Sequence, residues 1–130
     1  MSILKFGLNK NLLVVDDEED LREAMSYDFS NKGFTVYTSC DGNEAMEIMK
    51  THKIDVVVSD IQMPLCDGIC LLKKVNSLSH KKPIFLLMSG FSSYTQGQVE
   101  ELGALTLIAK PINRKEMFQL IEDALKQKDA

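Results

Sequence analysis

Asp16, Asp17, Asp60, Ser89 and Lys110 are the residues of this sequence whose types and positions can do chemistry together. In "LLVVDDEEDL" (12–21) four apolar residues run straight into five acids, and "IDVVVSD" (54–60) again ends an apolar run on an acid, Asp60. Carboxylates gathered at one place raise one another's pKa unless a divalent cation binds them. A hard cation, Mg2+ or Mn2+, suits this set better than zinc, because no His or Cys joins it. Such a cation attracts a second anion. Ser89 of "PIFLLMSG" can receive one as a hydroxyl donor and Lys110 of "LIAKPI" as a point charge, so a phosphoryl group completes the compensation. Simpler readings exist for each residue alone. Acids favour helix starts, which accounts for Glu18, Glu19 and Asp20 but less well for Asp16 at a strand end. Asp60 alone can be a helix cap, and a Lys before Pro alone is usually a solvated loop residue. Joint placement carries the inference.

That placement depends on the elements between these residues. Continuously apolar or β-branched runs at 11–16, 34–39, 54–60, 83–89 and 104–109 predict strands. Between and after them, 18–33, 41–53, 65–78, 92–103 and 113–128 carry helical periodicity, for example Leu21, Met25 and Phe29, or Met117, Leu120, Ile121, Ala124 and Leu125. The segment 92–103 is the weakest of these. Gly97 lies in its interior at a cost of about 1 kcal/mol relative to Ala, either for switching or for close packing. Apolar strands alternating with helices predict a parallel sheet covered on both faces, hence an open doubly wound α/β fold. In that architecture ligands sit outside the carboxyl ends of the strands, where the strand order reverses. Asp16, Asp60, Ser89 and Lys110 each end a different strand run and therefore converge.

Composition excludes several function classes. A chain of 130 residues can bury about 65–70% of its unfolded surface, enough for one core. We expect a single domain over 1–130 with its core at about 11–125. Lys plus Arg is 15 against 19 for Asp plus Glu, a net charge of −4, which disfavours direct nucleic-acid binding. No apolar run is long enough to cross a membrane, and the N-terminus lacks a processing site, so the expected location is the cytoplasm. Cys40, Cys66 and Cys70 are an odd number, expected to be reduced thiols without metal. His52 and His80 fall in surface-like segments at the amino-end side of the sheet.

The sequence resembles the receiver domain of two-component response regulators from about Asn11 to Leu125. The resemblance rests on "LLVVDDEEDL", "VVVSDIQMPLCDGICLL", "PIFLLMSG" and "GALTLIAKPI", in that order. It implies a flavodoxin-like (βα)5 fold, with five parallel strands and five helices, and makes Asp60 the phosphoacceptor. It also implies that Asp17 ligates Mg2+ directly and Asp16 mainly through water, with an oxygen from Asp60 and the backbone carbonyl of Gln62. Ser89 and Lys110 would then contact the phosphoryl group, and Pro64 and Gly68 would shape the loop and helix start after Asp60. The implied donor is a phosphohistidine on a histidine kinase or histidine phosphotransfer domain. The implied readout is a downstream protein or attached output domain, or a homodimer through the 92–125 face. Gln62 and Phe91 would flank the water that hydrolyses the acyl phosphate, with bulky Phe91 favouring a slow reset.

One position departs from the family. Three residues before the lysine, where the family usually has Tyr or Phe as part of its switch, this chain has Leu107; Phe91 or Tyr94 could fill the vacated volume. The departure keeps open a second reading, a binding module of the same fold that never uses phosphorylation. A third, a phosphohydrolase, wants an acid two residues after the nucleophile, where Gln62 stands. Only two residues follow Lys128, so no output domain is expected in this chain.

Overall fold

The protein is described from a computed structural model that covers residues 5–78, 81–90 and 93–129. Five strands alternate with five helices: β1 (Asn11–Val15), α1 (Glu19–Asn31), β2 (Thr35–Ser39), α2 (Gly42–Thr51), β3 (Val56–Asp60), α3 (Gly68–Asn76), β4 (Ile84–Ser89), α4 (Gln96–Glu101), β5 (Thr106–Ala109) and α5 (Arg114–Asp129). All strand pairs are parallel, in the order β2-β1-β3-β4-β5. The predicted open doubly wound α/β architecture is therefore the observed one.

The apolar runs of β1, β3 and β4 become central strands because each buries both faces, while β2 and β5 form the edges. Alternate residues of β1 point to opposite sides. Leu13 and Val15 join one core with Val57, Phe85 and Leu87 under α2, α3 and α4, while Leu12 and Val14 join a second with Val58, Leu86 and Met88 under α1 and α5. Phe29, Phe85, Met117 and Ile121 are among the largest fully buried side chains, each stabilising by about 1.5–3 kcal/mol relative to exposure. In α1 the predicted periodicity resolves into buried Met25 and Phe29, with Leu21 half-buried.

Helix starts follow local chemistry. Asp41 and Asp67 cap α2 and α3 by accepting from the backbone N–H groups of Glu44 and Cys70, each at 2.8 Å. Thr95 and Gln98 form a reciprocal capping box at α4. That helix is shorter than the predicted 92–103. Residues 91 and 92 lie outside the described set, which includes the expected role of Phe91, and Gly97 falls in the first turn. Among the described residues a Cβ at Gly97 would meet only the Thr95 hydroxyl, at 4.0 Å, so no close packing against them requires a glycine there.

The cysteines also differ from expectation. Cys66 and Cys70 are joined as a disulfide, leaving Cys40 free. The reason is local: Cys66 directly precedes the cap of α3, Cys70 lies in its first turn, and their Cα atoms are 5.3 Å apart, within bridging range. His52 caps the end of α2, exposed and packed on Tyr37 with ring centroids 4.5 Å apart. His80 lies outside the described residues.

Candidate functional site

The order of the strands reverses between β1 and β3, and the carboxyl ends of these two strands open the crevice predicted from sequence. Asp16 follows the last residue of β1, and its N–H donates to Ser39 O at 3.1 Å, prolonging the ladder with β2. Its Oδ1 then accepts from the N–H of Glu18 at 2.9 Å, which turns the chain into α1, and Arg22 Nη1 reaches back to Asp16 O at 2.8 Å. Asp60 is the last residue of β3, and one of its carboxylate oxygens, Oδ1, accepts from Gln62 N–H at 3.3 Å. Ile61 extends the pairing by donating to Met88 O at 2.9 Å, and Ser59 donates its hydroxyl to Asp60 O at 2.9 Å. Ser89 ends β4, buried, and its carbonyl accepts the Lys110 N–H at 2.9 Å, which places Lys110 just beyond β5. Lys110 precedes Pro111 across a cis peptide bond.

Gly68 fixes how closely the following helix approaches. A Cβ there would lie 2.4 Å from Asp60 O and 2.9 Å from Ile61 Cα, so only glycine lets the start of α3 pack against the Asp60 backbone.

The side chains of Asp16, Asp17, Asp60 and Lys110 converge. Carboxylate oxygens of Asp16, Asp17 and Asp60 lie within 4.8 Å of one another, with Asp16 and Asp60 buried and Asp17 exposed. Lys110 Nζ donates to Asp60 Oδ2 at 3.0 Å and sits 3.6 Å from Asp16 Oδ2. Burial pushes the Asp16 carboxyl above its ordinary range, and the charges of Asp60 and Glu18 add to that against the Glu18 N–H and Lys110. Burial works to lower the Lys110 pKa, but the hydrogen bond to Asp60 and the charges of Asp16, Asp60 and Glu18 outweigh it and hold the ammonium above its ordinary value. Asp16 Oδ2 is buried without a hydrogen bond. A buried carboxylate oxygen left in this state, beside two further carboxylates, is what a divalent cation fits, and an all-oxygen donor set points to a hard one.

Glu18 corrects the sequence reading. It stands at the N-cap of α1 but makes no side-chain capping bond; its carboxylate lies 3.5 Å from Lys110 Nζ instead. Its neighbours in the acidic run, Glu19 and Asp20, do occupy the first helical turn as expected. Arg22 was not singled out from sequence, since its contact to a backbone carbonyl six residues away leaves no pattern. Gln62 is exposed next to Asp60, where its carbonyl role remains an expectation. Leu107 is half-buried and packs against the core under α2, α3 and α4. Tyr94 is 36% exposed.

The response regulator receiver domain model matches residues 12–122. This chain belongs to that family. Among curated relatives, the alkaline phosphatase synthesis transcriptional regulatory protein PhoP of Bacillus subtilis is 31% identical over 94% of the chain and 51% of its own length. The probable transcriptional regulator ycf27 of Cyanidium caldarium is 32% identical over 90% of the chain and 47% of its own length. The chain thus spans about half the length of these relatives. Among solved structures, CheY in the CheX-CheY-BeF3-Mg2+ complex of Borrelia burgdorferi superposes with a TM-score of 0.85 at 28% identity, covering 95% of this receiver domain and 98% of that chain. The chemotaxis response regulator CheY4 of Vibrio cholerae gives 0.77 at 26% identity, covering 88% and 97%.

Proposed function

We propose that this receiver domain accepts a phosphoryl group from a phosphohistidine donor onto Asp60 and thereby changes the face it presents to partners. The observation that carries this reading is the 3.0 Å contact of Lys110 Nζ with Asp60 Oδ2 inside a cluster of three carboxylates. An Asp60 oxygen forms a bond to phosphorus as the phosphorus–nitrogen bond of the donor imidazole breaks, and the imidazole leaves with a proton from solvent. Lys110, already charged and aimed at Asp60, pairs with the negative phosphoryl oxygens as they arrive, and the Ser89 hydroxyl donates to another. Asp16, Asp17, Asp60 and the Gln62 carbonyl would hold Mg2+ or Mn2+, which supplies further neutralisation of phosphoryl charge. The domain therefore catalyses its own modification by positioning and electrostatics and is not a conventional enzyme. Gln62, exposed and carrying a neutral amide in place of a carboxylate, gives a water molecule no general base, which supports slow loss of the phosphoryl group over rapid phosphohydrolase turnover.

The donor is a histidine kinase or a histidine phosphotransfer domain, and the setting is the cytoplasm. No helix among the described residues is long and apolar enough to cross a membrane. The readout runs through the α4-β5-α5 face, to a downstream protein, an attached output domain or a second copy. There Gln96 Nε2 donates to Thr106 Oγ1 at 2.6 Å, tying a six-residue helix to an edge strand. Leu107 beside that tether alters how the signal leaves the site and leaves the chemistry at Asp60 unchanged. Intact-mass measurement after incubation with Mg2+ and a small acyl or amido phosphate tests the proposal. Wild type gains one phosphoryl group and Asp60→Asn gains none; an unmodified wild type, even with phosphorylated kinases supplied, refutes it.

A further inference from the structure

The amino ends of the strands carry the opposite charge from the mouth. Strands of four to six residues separate the two ends by about 13–20 Å. At the amino end Lys53, Lys81, Lys82 and Lys128 line a partly enclosed cleft of about 30 Å3 together with His52 and Asp55. Four lysines therefore face one acid. That acid is already engaged, since Asp55 Oδ2 accepts the Asn11 N–H at 2.8 Å.

Among the described residues Lys53, Lys81 and Lys82 form no salt bridge, and Lys128 donates to the carbonyl of Lys82. Asp129 is paired with the nearby Lys10 at 3.3 Å, so among the described residues Asp55 is the one carboxylate lining the cleft with these four lysines. Helix C-termini attract lysines for dipole reasons, which accounts for Lys50, Lys126 and Lys128. It does not account for Lys53, Lys81 and Lys82, which lie outside any helix. In a chain of net charge −4, an uncompensated basic cleft is a segregated field and not a consequence of overall composition.

The segments carrying the lysines are held in place. Asn11 Nδ2 donates to Lys53 O at 2.7 Å, Ile84 N–H to Asp55 O at 2.9 Å, and Lys128 ties the end of α5 to Lys82. The cleft is thus formed before any ligand arrives. Its volume is about that of one water-sized group, too small for an aromatic ring or a helix and suited to the end of a compact anion.

We propose that this cleft and its lysine rim are an anion site for a soluble oligophosphate, one oxygen of whose terminal phosphate enters the cleft while the rest of that phosphate and the next are met by the lysines around the mouth. Burial together with the neighbouring Lys81 and Lys10 ammonium groups pushes the Lys128 ammonium below its ordinary value, Asp55 and Asp129 opposing. That is the strain a bound polyanion relieves.

Titration calorimetry with sodium pyrophosphate, in EDTA and low salt, tests the site on the whole chain. The triple substitution Lys53→Gln, Lys81→Gln and Lys82→Gln should weaken binding about tenfold, as expected from three charge contacts of less than 1 kcal/mol each, and the corresponding Arg triple should retain it. Both triples should accept a phosphoryl group on Asp60 as wild type does. Amide NMR on the unmodified chain serves even if a triple fails to fold: pyrophosphate should shift resonances of residues 52–55, 81–84 and 126–129. Absence of binding by wild type, equal affinity in a folded Gln triple, or shifts confined to Asp16, Asp60 and Lys110 would each overturn the proposal.

Discussion

Replacing Asp16 by Asn should stabilise the cation-free domain while removing its response to Mg2+. Asp16 is fully buried, and its Oδ2 lacks a hydrogen bond, a state that costs about 1–3 kcal/mol for a buried polar group. Asn keeps the Oδ1 acceptor used by Glu18 N–H and removes the charge, while Lys110 keeps Asp60 and Glu18 as partners; its Nδ2 takes the unpartnered Oδ2 position and the 3.6 Å attraction to Lys110 is lost, so only part of that cost is recovered. For 130 residues, at about 2.1 cal/mol/K each, the unfolding entropy is about 0.27 kcal/mol/K, so a net gain of about 1 kcal/mol should raise Tm by about 4 °C in EDTA. Mg2+ at about 100 times its Kd adds about 2.7 kcal/mol, or about 10 °C, to wild type, and this increment should disappear in Asp16→Asn. The pH dependence has a definite sign. The folded-state pKa of Asp16 lies above its ordinary value of 3.8, so the folded protein binds the proton more tightly than the unfolded chain does. The stability this contributes is complete below 3.8 and is lost as pH rises through the folded-state value. In EDTA the advantage of Asn over Asp should therefore be full near neutral pH and shrink on acidification. Thermal melts followed by circular dichroism, with and without Mg2+, measure all three effects. An Asp16→Asn protein that melts at or below wild type in EDTA at neutral pH would refute the argument that this carboxylate is destabilising without its cation.

Lys110→Gln removes the cation shared by Asp60, Asp16 and Glu18; the rate of Asp60 phosphorylation should fall by about 10²–10³, as for loss of one preorganised charge-stabilising group, in a stopped-flow or mass-based time course. Two glycine substitutions should act in opposite directions. Gly68→Ala forces a Cβ against Asp60 O and should destabilise by about 1–3 kcal/mol in urea unfolding, slowing phosphorylation as well. Gly97→Ala, with open space and a place in a helix, should stabilise by about 0.4–1 kcal/mol. Thiol titration of the denatured chain should find one reactive cysteine without reductant and three after reduction, since only Cys40 is free; three without reductant would contradict the pairing of Cys66 with Cys70.

Strand positions and the polar residues ending them were legible because both rest on local patterns. A short, continuously apolar run rich in β-branched residues and alternating with helical segments reads as a strand covered on two faces, and in a parallel sheet its last residue lies at the ligand end. Asp16, Asp60, Ser89 and Lys110 follow from that geometry alone. The parts that were not legible depend on contacts distant in sequence. Glu18 reads as a helix-start acid until Lys110, far along the chain, is placed 3.5 Å from it. The extent of α4 was overread because its apolar pattern is weak and a single buried side chain, Val99, anchors it. The disulfide was missed because an odd cysteine count argues for free thiols, whereas the turn into α3 brings just two of the three to 5.3 Å.

The same reasoning locates what Leu107 changes. The buried neighbour on β5, Thr106, is tied by its hydroxyl to Gln96 in the first turn of α4, while Leu107 offers only apolar contact to the core beneath that helix. An aromatic ring pivoting at 107 would couple an inward or outward orientation to the space under α4; a leucine changes rotamer within nearly the same volume. The position of α4 is then set mainly by the polar tether and by Val99. If the tether governs the switch, Thr106→Val should leave the phosphorylation rate at Asp60 unchanged and alter the amide exchange of residues 96–101, which lose their hydrogen bond to the sheet. Faster exchange, by about fivefold to tenfold for a lost hydrogen bond of about 1 kcal/mol, is expected in the unphosphorylated protein. Exchange identical to wild type would show that packing at Val99 and Leu107 holds the helix without help from Thr106.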